Sequence, residues 1–156
     1  MSEKLDGVRA YWNGQKLISR HSKEILCPNW FTQGLTKIAL DTELWLGKGT
    51  LNIMVGIVSS GPENSLWKSV KYMIFDLPHS DKPYYSRMEE LNELKKEFPS
   101  HIKVIDMKRC NGYEHLMKSL EIITNNGGEG LMLNEPSSLY INGCTDKLLK
   151  VKVFKI

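Results

Sequence analysis

Apolar positions change period several times along the chain, and each change marks an element. Val8-Arg9-Ala10-Tyr11-Trp12 and Lys16-Leu17-Ile18-Ser19 read as two strands around Asn13-Gly14. That dipeptide tolerates positive φ and predicts a type I′ hairpin turn. Pro28 and Gly34 punctuate a loop around Trp30-Phe31, Lys37 to Trp45 predicts a strand, and Leu51 to Val58 predicts a short helix. Val70 to Asp76 predicts a further strand, ended by Leu77-Pro78. From Ser86, with Glu89 three residues on as in a capping box, Met88, Leu91, Leu94 and Phe98 recur at helical spacing until Pro99. Ile102 to Ile105 alternates as a strand. Leu116, Leu120 and Ile123 predict a helix over Tyr113 to Ile123, which Asn125-Asn126-Gly127-Gly128 stops. Gly130 to Leu133 and Leu148 to Phe154 predict the last two strands.

Strands outnumber helices, and hairpin connections mix with helical ones. The expected class is therefore α+β, with a mainly antiparallel sheet and flanking helices. No internal repeat, low-complexity tract or linker divides the 156 residues, which read as one domain spanning 1–156. A composition of 41% hydrophobic and 25% charged residues supports a packed core and excludes a disordered chain. No apolar run approaches the ~20 residues of a membrane-spanning helix, so no membrane partner is expected. The charged opening Met1-Ser2-Glu3-Lys4 has no secretory pattern and leaves no room for a targeting peptide ahead of Lys4. Cys27, Cys110 and Cys144 are far apart, without a C-x-x-C pair. They argue against a disulfide framework or a zinc site and for a reducing, intracellular compartment. The net charge of +3 permits a polyanionic partner without requiring one.

The chemistry lies near the two ends. Lys4-Leu5-Asp6-Gly7-Val8-Arg9 can gather an amine, a carboxylate and a guanidinium at one glycine turn. A lysine is a nucleophile only when neutral, a state favoured by neighbouring cations or desolvation. A surface Asp-Gly turn with flanking charges is the plainer reading of the same six residues. Lys150-Val151-Lys152 alternates on a predicted strand and projects two amines to one face, an arrangement suited to an anion or to a solvated edge. The glycines of Gly128-Glu129-Gly130 let backbone approach a ligand closely, or simply make a turn.

Taken in order, five stretches resemble the adenylation domain of ATP-dependent DNA ligases, within the covalent nucleotidyltransferases. They are Lys4 to Arg9; Leu40-Asp41-Thr42-Glu43-Leu44-Trp45; Tyr72 to Pro78; Glu129-Gly130-Leu131-Met132-Leu133; and Leu148-Leu149-Lys150-Val151-Lys152. The resemblance implies an ATP-grasp-like nucleotidyltransferase core and a three-step reaction. Lys4 takes AMP from ATP, AMP passes to the 5′-phosphate of nicked duplex DNA, and the 3′-hydroxyl displaces it. It further implies Lys150 and Lys152 as clamps on the α-phosphate, and Glu3, Arg9, Arg20, Glu43, Phe75 and Glu129 as nucleotide or phosphate contacts. Glu43 and Glu129 are the expected Mg²⁺ ligands, and Phe75 the adenine platform, with aliphatic side chains from Leu131 to Leu133 on the other face. A monomer in a DNA-containing compartment (nucleus, mitochondrion or bacterial cytoplasm) is expected.

Thr42 stands where the family usually has glycine; Ser59, Asn134 and Cys144 stand where it often has arginine or serine-flanked arginine. Lost guanidinium forks predict a looser grip on DNA. The family pattern further predicts that the domain is truncated at its N-terminus and that an OB-fold domain is absent. RNA ligases and capping guanylyltransferases use the same lysine, and a nucleotide-binding relic without turnover is the non-enzymatic alternative.

Overall fold

The computed structural model describes residues 1–153, so Phe154 of the last predicted strand lies outside the described residues. Among the described residues eight strands form two sheets. The larger has the order β3-β2-β4-β5-β6, from β2 (Val8–Trp12), β3 (Leu17–Ser19), β4 (Leu40–Trp45), β5 (Lys71–Asp76) and β6 (Ile102–Val104). All its pairs are antiparallel except β5–β6, whose connection carries a helix. The smaller sheet has the order β1-β7-β8, from β1 (Ser2–Glu3), β7 (Leu131–Asn134) and β8 (Leu148–Val151), and is antiparallel throughout. The α+β class and the mainly antiparallel pairing follow the sequence pattern.

Alternation decides which face of the large sheet is filled. Ala10, Trp12, Leu40, Thr42, Leu44, Tyr72 and Ile74 are buried, while Arg9, Tyr11, Glu43, Met73 and Phe75 are not. The buried set packs with Met54 and Ile57 of α2 (Leu51–Ser60) and Met88 and Leu91 of α3 (Tyr84–Leu94). Phe31, predicted to lie in a loop, belongs to a one-turn helix, α1 (Asn29–Thr32), and is fully buried. Its ring meets Trp67 edge-on at 4.8 Å. A separate small core joins Met1, Leu120 and Leu131, under α4 (Tyr113–Asn125).

The structure corrects three local expectations. The first hairpin is not closed by a type I′ turn, which needs positive φ at both central residues. Gly14 alone has it (φ 94), and the Asn13 side chain accepts from the Gln15 and Lys16 amides instead. Helix α3 begins at Tyr84, two residues before the Ser86 capping box, and no side chain caps it. Its first amides, Tyr84 and Tyr85, donate to the carbonyls of Ser138 and Pro136. A helix start can be satisfied from a distant segment as well as by its own sequence. Strand β1 was not anticipated: two residues have no period to read.

Candidate active site

Strand β1 places Lys4 on the small sheet. The Lys4 amide donates to the Gly130 carbonyl at 2.8 Å, two positions on from the register pair Ser2–Met132, and Met132 pairs in turn with Lys150. Continuing that register puts Lys4, Gly130 and Lys152 side by side on one face. A Cβ at Gly130 would overlap the Val151 carbonyl and crowd the Lys152 backbone, and its φ of +152 also suits glycine. No side chain therefore separates the two amines. Both reach the neighbouring carboxylate: Lys4 Nζ pairs with Glu129 Oε2 and Lys152 Nζ with Glu129 Oε1. Burial acts to raise the Glu129 carboxyl, but hydrogen bonds from Lys152 and Lys4 outweigh it and hold it below the usual range.

From Lys4 the chain crosses to the large sheet through Asp6 and Gly7. Asp6 accepts from the Trp45 indole at 3.1 Å and from the Gly49 amide at 2.7 Å, which fixes the loop after β4. Gly7 passes so close to β4 that a Cβ would strike the Leu44 carbonyl. Its amide donates to Glu43 Oε1 at 3.1 Å. Burial pushes the Glu43 carboxyl up to about 7, against the opposing pull of the Gly7 amide, Lys4 and Arg9.

Arg9 is the register partner of Glu43 on the open face of the large sheet. Its Nε and Nη2 grip Asp41 at 3.0 and 2.5 Å, and its guanidinium lies 5.7 Å from the centre of the Phe75 ring. The hydrogen bond to Asp41 is the main cause that raises its already high pKa. Phe75 sits at a bulge: Ile74 pairs with Thr42 and Asp76 with Asp41, leaving Phe75 as the extra residue of β5. It is half-buried on the side opposite the core, where a ring is free to stack.

Of the expected residues, the structure joins Lys4, Lys152 and Glu129 in one cluster, and Arg9, Glu43 and Phe75 on the adjoining sheet face. Lys150 is exposed and aligned with Lys152 by alternation, but is outside that cluster. Glu3 is paired with Lys48 at 3.4 Å instead. Arg20 is exposed just past the Ala10–Ser19 pair, at the Arg9 end of the hairpin. Leu131 and Leu133 turn to the small core beneath α4, so of that stretch only Met132 shares the face of the lysines. Thr42 is buried on the core side, its hydroxyl donating to the Ala10 carbonyl at 2.6 Å, and does not face the site.

Sequence singled out neither Tyr140 and Lys48, which touch Arg9 and Glu3, nor Arg87, which holds the segment carrying Tyr140. Arg87 had a readable signal. It falls on the same helical stripe as Tyr84, Met88 and Leu91, and a cation on an apolar stripe needs a buried partner. That partner is Asp76, 2.6 Å from Arg87 Nε.

The side chains on hand bear on whether a divalent cation fits. Among the described residues no three His, Cys, Asp or Glu side chains converge. Glu43 and Glu129 are two carboxylates near Lys4, a donor set that fits a Mg²⁺ brought in with nucleotide phosphates. It does not fit a dedicated protein cage.

Comparison with known proteins is consistent along the chain. The family model for the ATP dependent DNA ligase domain matches residues 1–152. A DNA ligase of Haemophilus influenzae is 30% identical over 153 residues, covering 97% of this chain and 57% of that protein. A solved structure from work on Lig E DNA ligases, described as binding DNA with a minimal scaffold, superposes with a TM-score of 0.93 at 38% identity. It covers 99% of this chain and 61% of the other. Chlorella virus DNA ligase-adenylate shares the fold, with a TM-score of 0.80 at 22% identity over 97% of this chain and 59% of that one. The chain thus spans less than two thirds of the length of these relatives. With all five motif stretches inside the matched residues, the chain belongs to the ATP-dependent DNA ligase domain family.

Proposed function

We propose that this chain carries the adenylating centre of an ATP-dependent DNA ligase that seals nicks. The observation that carries the reading is the convergence of Lys4 and Lys152 on Glu129. An amine nucleophile and a second ammonium share one anion there, and a bound α-phosphate offers both the same charge. Lys4 Nζ gives up its ammonium proton to solvent, and the neutral amine attacks the α-phosphorus of ATP. The bond to the β-phosphate oxygen breaks, pyrophosphate leaves, and the nitrogen sheds a second proton to solvent. The product is a phosphoramidate between Lys4 and AMP. Lys152, with Lys150 beside it on the strand, stabilises the charge that builds on the α-phosphate oxygens. Glu129, until then an ion-pair partner, is released as the phosphate takes over its lysines.

Arg9 offers its exposed guanidinium edge to the sugar or to the phosphate of the nick, and Phe75 its open face to adenine. Glu3, paired with Lys48, would contact the nucleotide, and Arg20 would serve as a second phosphate contact. Glu43 and Glu129 would hold Mg²⁺, which supplies charge neutralisation at the phosphates when bound. AMP then passes to the 5′-phosphate at a nick, and the adjacent 3′-hydroxyl displaces it. The working compartment is one that holds DNA, and the acting species a monomer.

Labelling with ATP or GTP carrying a radioactive α-phosphate tests the nucleotide. Covalent label from ATP alone supports the reading, and label from GTP alone contradicts it. Nicked duplexes with DNA or RNA on each side of the break then test the polynucleotide, with sealing of the all-DNA nick as the expected result.

A further inference from the structure

Tyr140 lies outside every motif stretch, in the connection between β7 and β8, yet its hydroxyl donates to Asp41 Oδ2 at 2.7 Å. The same oxygen accepts Arg9 Nη2 at 2.5 Å, and the Tyr140 oxygen stands 3.5 Å from that nitrogen. Asp41 Oδ1 accepts Arg9 Nε. The Asp41 side chain is 2% exposed while that of Arg9 is 53% exposed. A buried carboxylate therefore fixes one edge of a planar guanidinium, and the remaining donors point away from it beside Phe75. Burial, followed by the Asp41 charge, raises the Tyr140 pKa, so the hydroxyl stays a donor across the working range.

The segment carrying Tyr140 is itself tied down. Arg87, 2% exposed, grips Asp76 through Nε and Nη2 and donates from Nη1 to the carbonyls of Lys82 and Ser138. Its guanidinium carbon lies 5.9 Å from the centre of the Tyr140 ring. The Ser138 carbonyl also takes the first amide of α3. Tyr140 thus reaches Asp41 from a fixed support, not from a loose loop.

We propose that Tyr140 is a positioning residue for Arg9, acting through their shared Asp41 to hold the guanidinium toward the AMP moiety. The assignment rests on the reading of Lys4 as the AMP acceptor. It places the effect of Tyr140 on nucleotide binding and not on attack by Lys4, because the Lys4–Glu129–Lys152 cluster shares no hydrogen bond with this network among the described residues.

The test is a double-mutant cycle on the full chain with Tyr140→Phe, Arg9→Gln and the pair, following Lys4-AMP formation against ATP concentration. Tyr140→Phe keeps the ring and removes only the hydroxyl. It is expected to raise the KM for ATP about fivefold, with the maximal rate changed by less than about twofold. In the Arg9→Gln background the same change is expected to alter KM by less than about 1.5-fold, since the group it positions is gone. Thermal melts confirm that each variant is folded. An unchanged KM, a fall in maximal rate alone, or equal effects in both backgrounds overturns the positioning role and leaves the adenylation reading intact. No adduct in the unmutated chain overturns that reading and the positioning role with it.

Discussion

Asp41 and Asp76 stand directly opposite each other across the β4–β5 ladder, at the bulge that carries Phe75. Both are buried, 2% and 8% exposed. Like charges in register destabilise a sheet unless each is matched. Here each carboxylate has its own arginine, Arg9 from β2 and Arg87 from α3. The pair of aspartates is thereby the joint between the large sheet, the helix and the segment that carries Tyr140.

Arg87 is expected to matter to stability more than its distance from Lys4 suggests. Removing one partner of a buried ion pair strands the other, at a typical cost of ~3–5 kcal/mol. Arg87→Leu is expected to cost about that much in urea denaturation and to lower the melting temperature by roughly 10 °C. Combining it with Asp76→Leu is expected to recover part of the loss. A loss below about 1 kcal/mol for the single variant contradicts the pairing.

Glu43 gives a pH signature. Its carboxyl is pushed from 4.5 up to about 7 by burial, so between these values the folded chain binds more protons there than the unfolded chain. Stability from this group therefore falls as pH rises through that window and levels off above it. Glu43→Gln removes the slope and is expected to stabilise the chain at pH 8 by up to about 3 kcal/mol. Parallel denaturation curves for both proteins from pH 5 to about pH 8 check the sign. An identical slope in the variant rules it out.

Gly130→Ala tests the close approach on which the lysine face depends. The added methyl would overlap the Val151 carbonyl at a φ of +152, so β8 must shift from β7. A loss of at least ~2 kcal/mol in stability is expected. Adduct formation should fall with it although Lys4 and Lys152 are retained. A crystal structure of the variant with unchanged strand spacing contradicts this account.

Lys152→Ala separates the clamp from the nucleophile. With Lys4 intact, the single-turnover rate of AMP transfer to the enzyme is expected to fall ~10²–10³-fold. A change in the affinity for ATP alone, at constant rate, contradicts a role for Lys152 at the α-phosphate.

Much of the fold and of the site is legible in the chain because the relevant signals are local. The alternation of Ala10, Thr42, Leu44, Tyr72 and Ile74 against Arg9, Glu43 and Phe75 sets the buried and open faces of the sheet by period alone. The lysines at 150 and 152 likewise declare a shared face. What is not legible there is non-local. Helix α3 starts where the Ser138 and Pro136 carbonyls arrive to take its amides, and the Ser86–Glu89 pattern has no say in it. Strand β1 exists because β7 offers it an edge. Leu131 and Leu133 face α4 and not the nucleotide side, a matter of which side of the small sheet the helix covers. Tyr140 carries no motif; only the fold brings it to Asp41 across 99 positions of sequence.

Every role given to the site depends on Lys4 being a working nucleophile toward ATP. Intact-mass spectrometry of the chain after incubation with ATP and Mg²⁺, beside Lys4→Ala treated identically, tests it most directly. An AMP-sized increment is expected on the unmutated chain, localised to Lys4 and absent from the variant. An unmutated chain that gains no AMP, or a Lys4→Ala variant that gains as much, contradicts it.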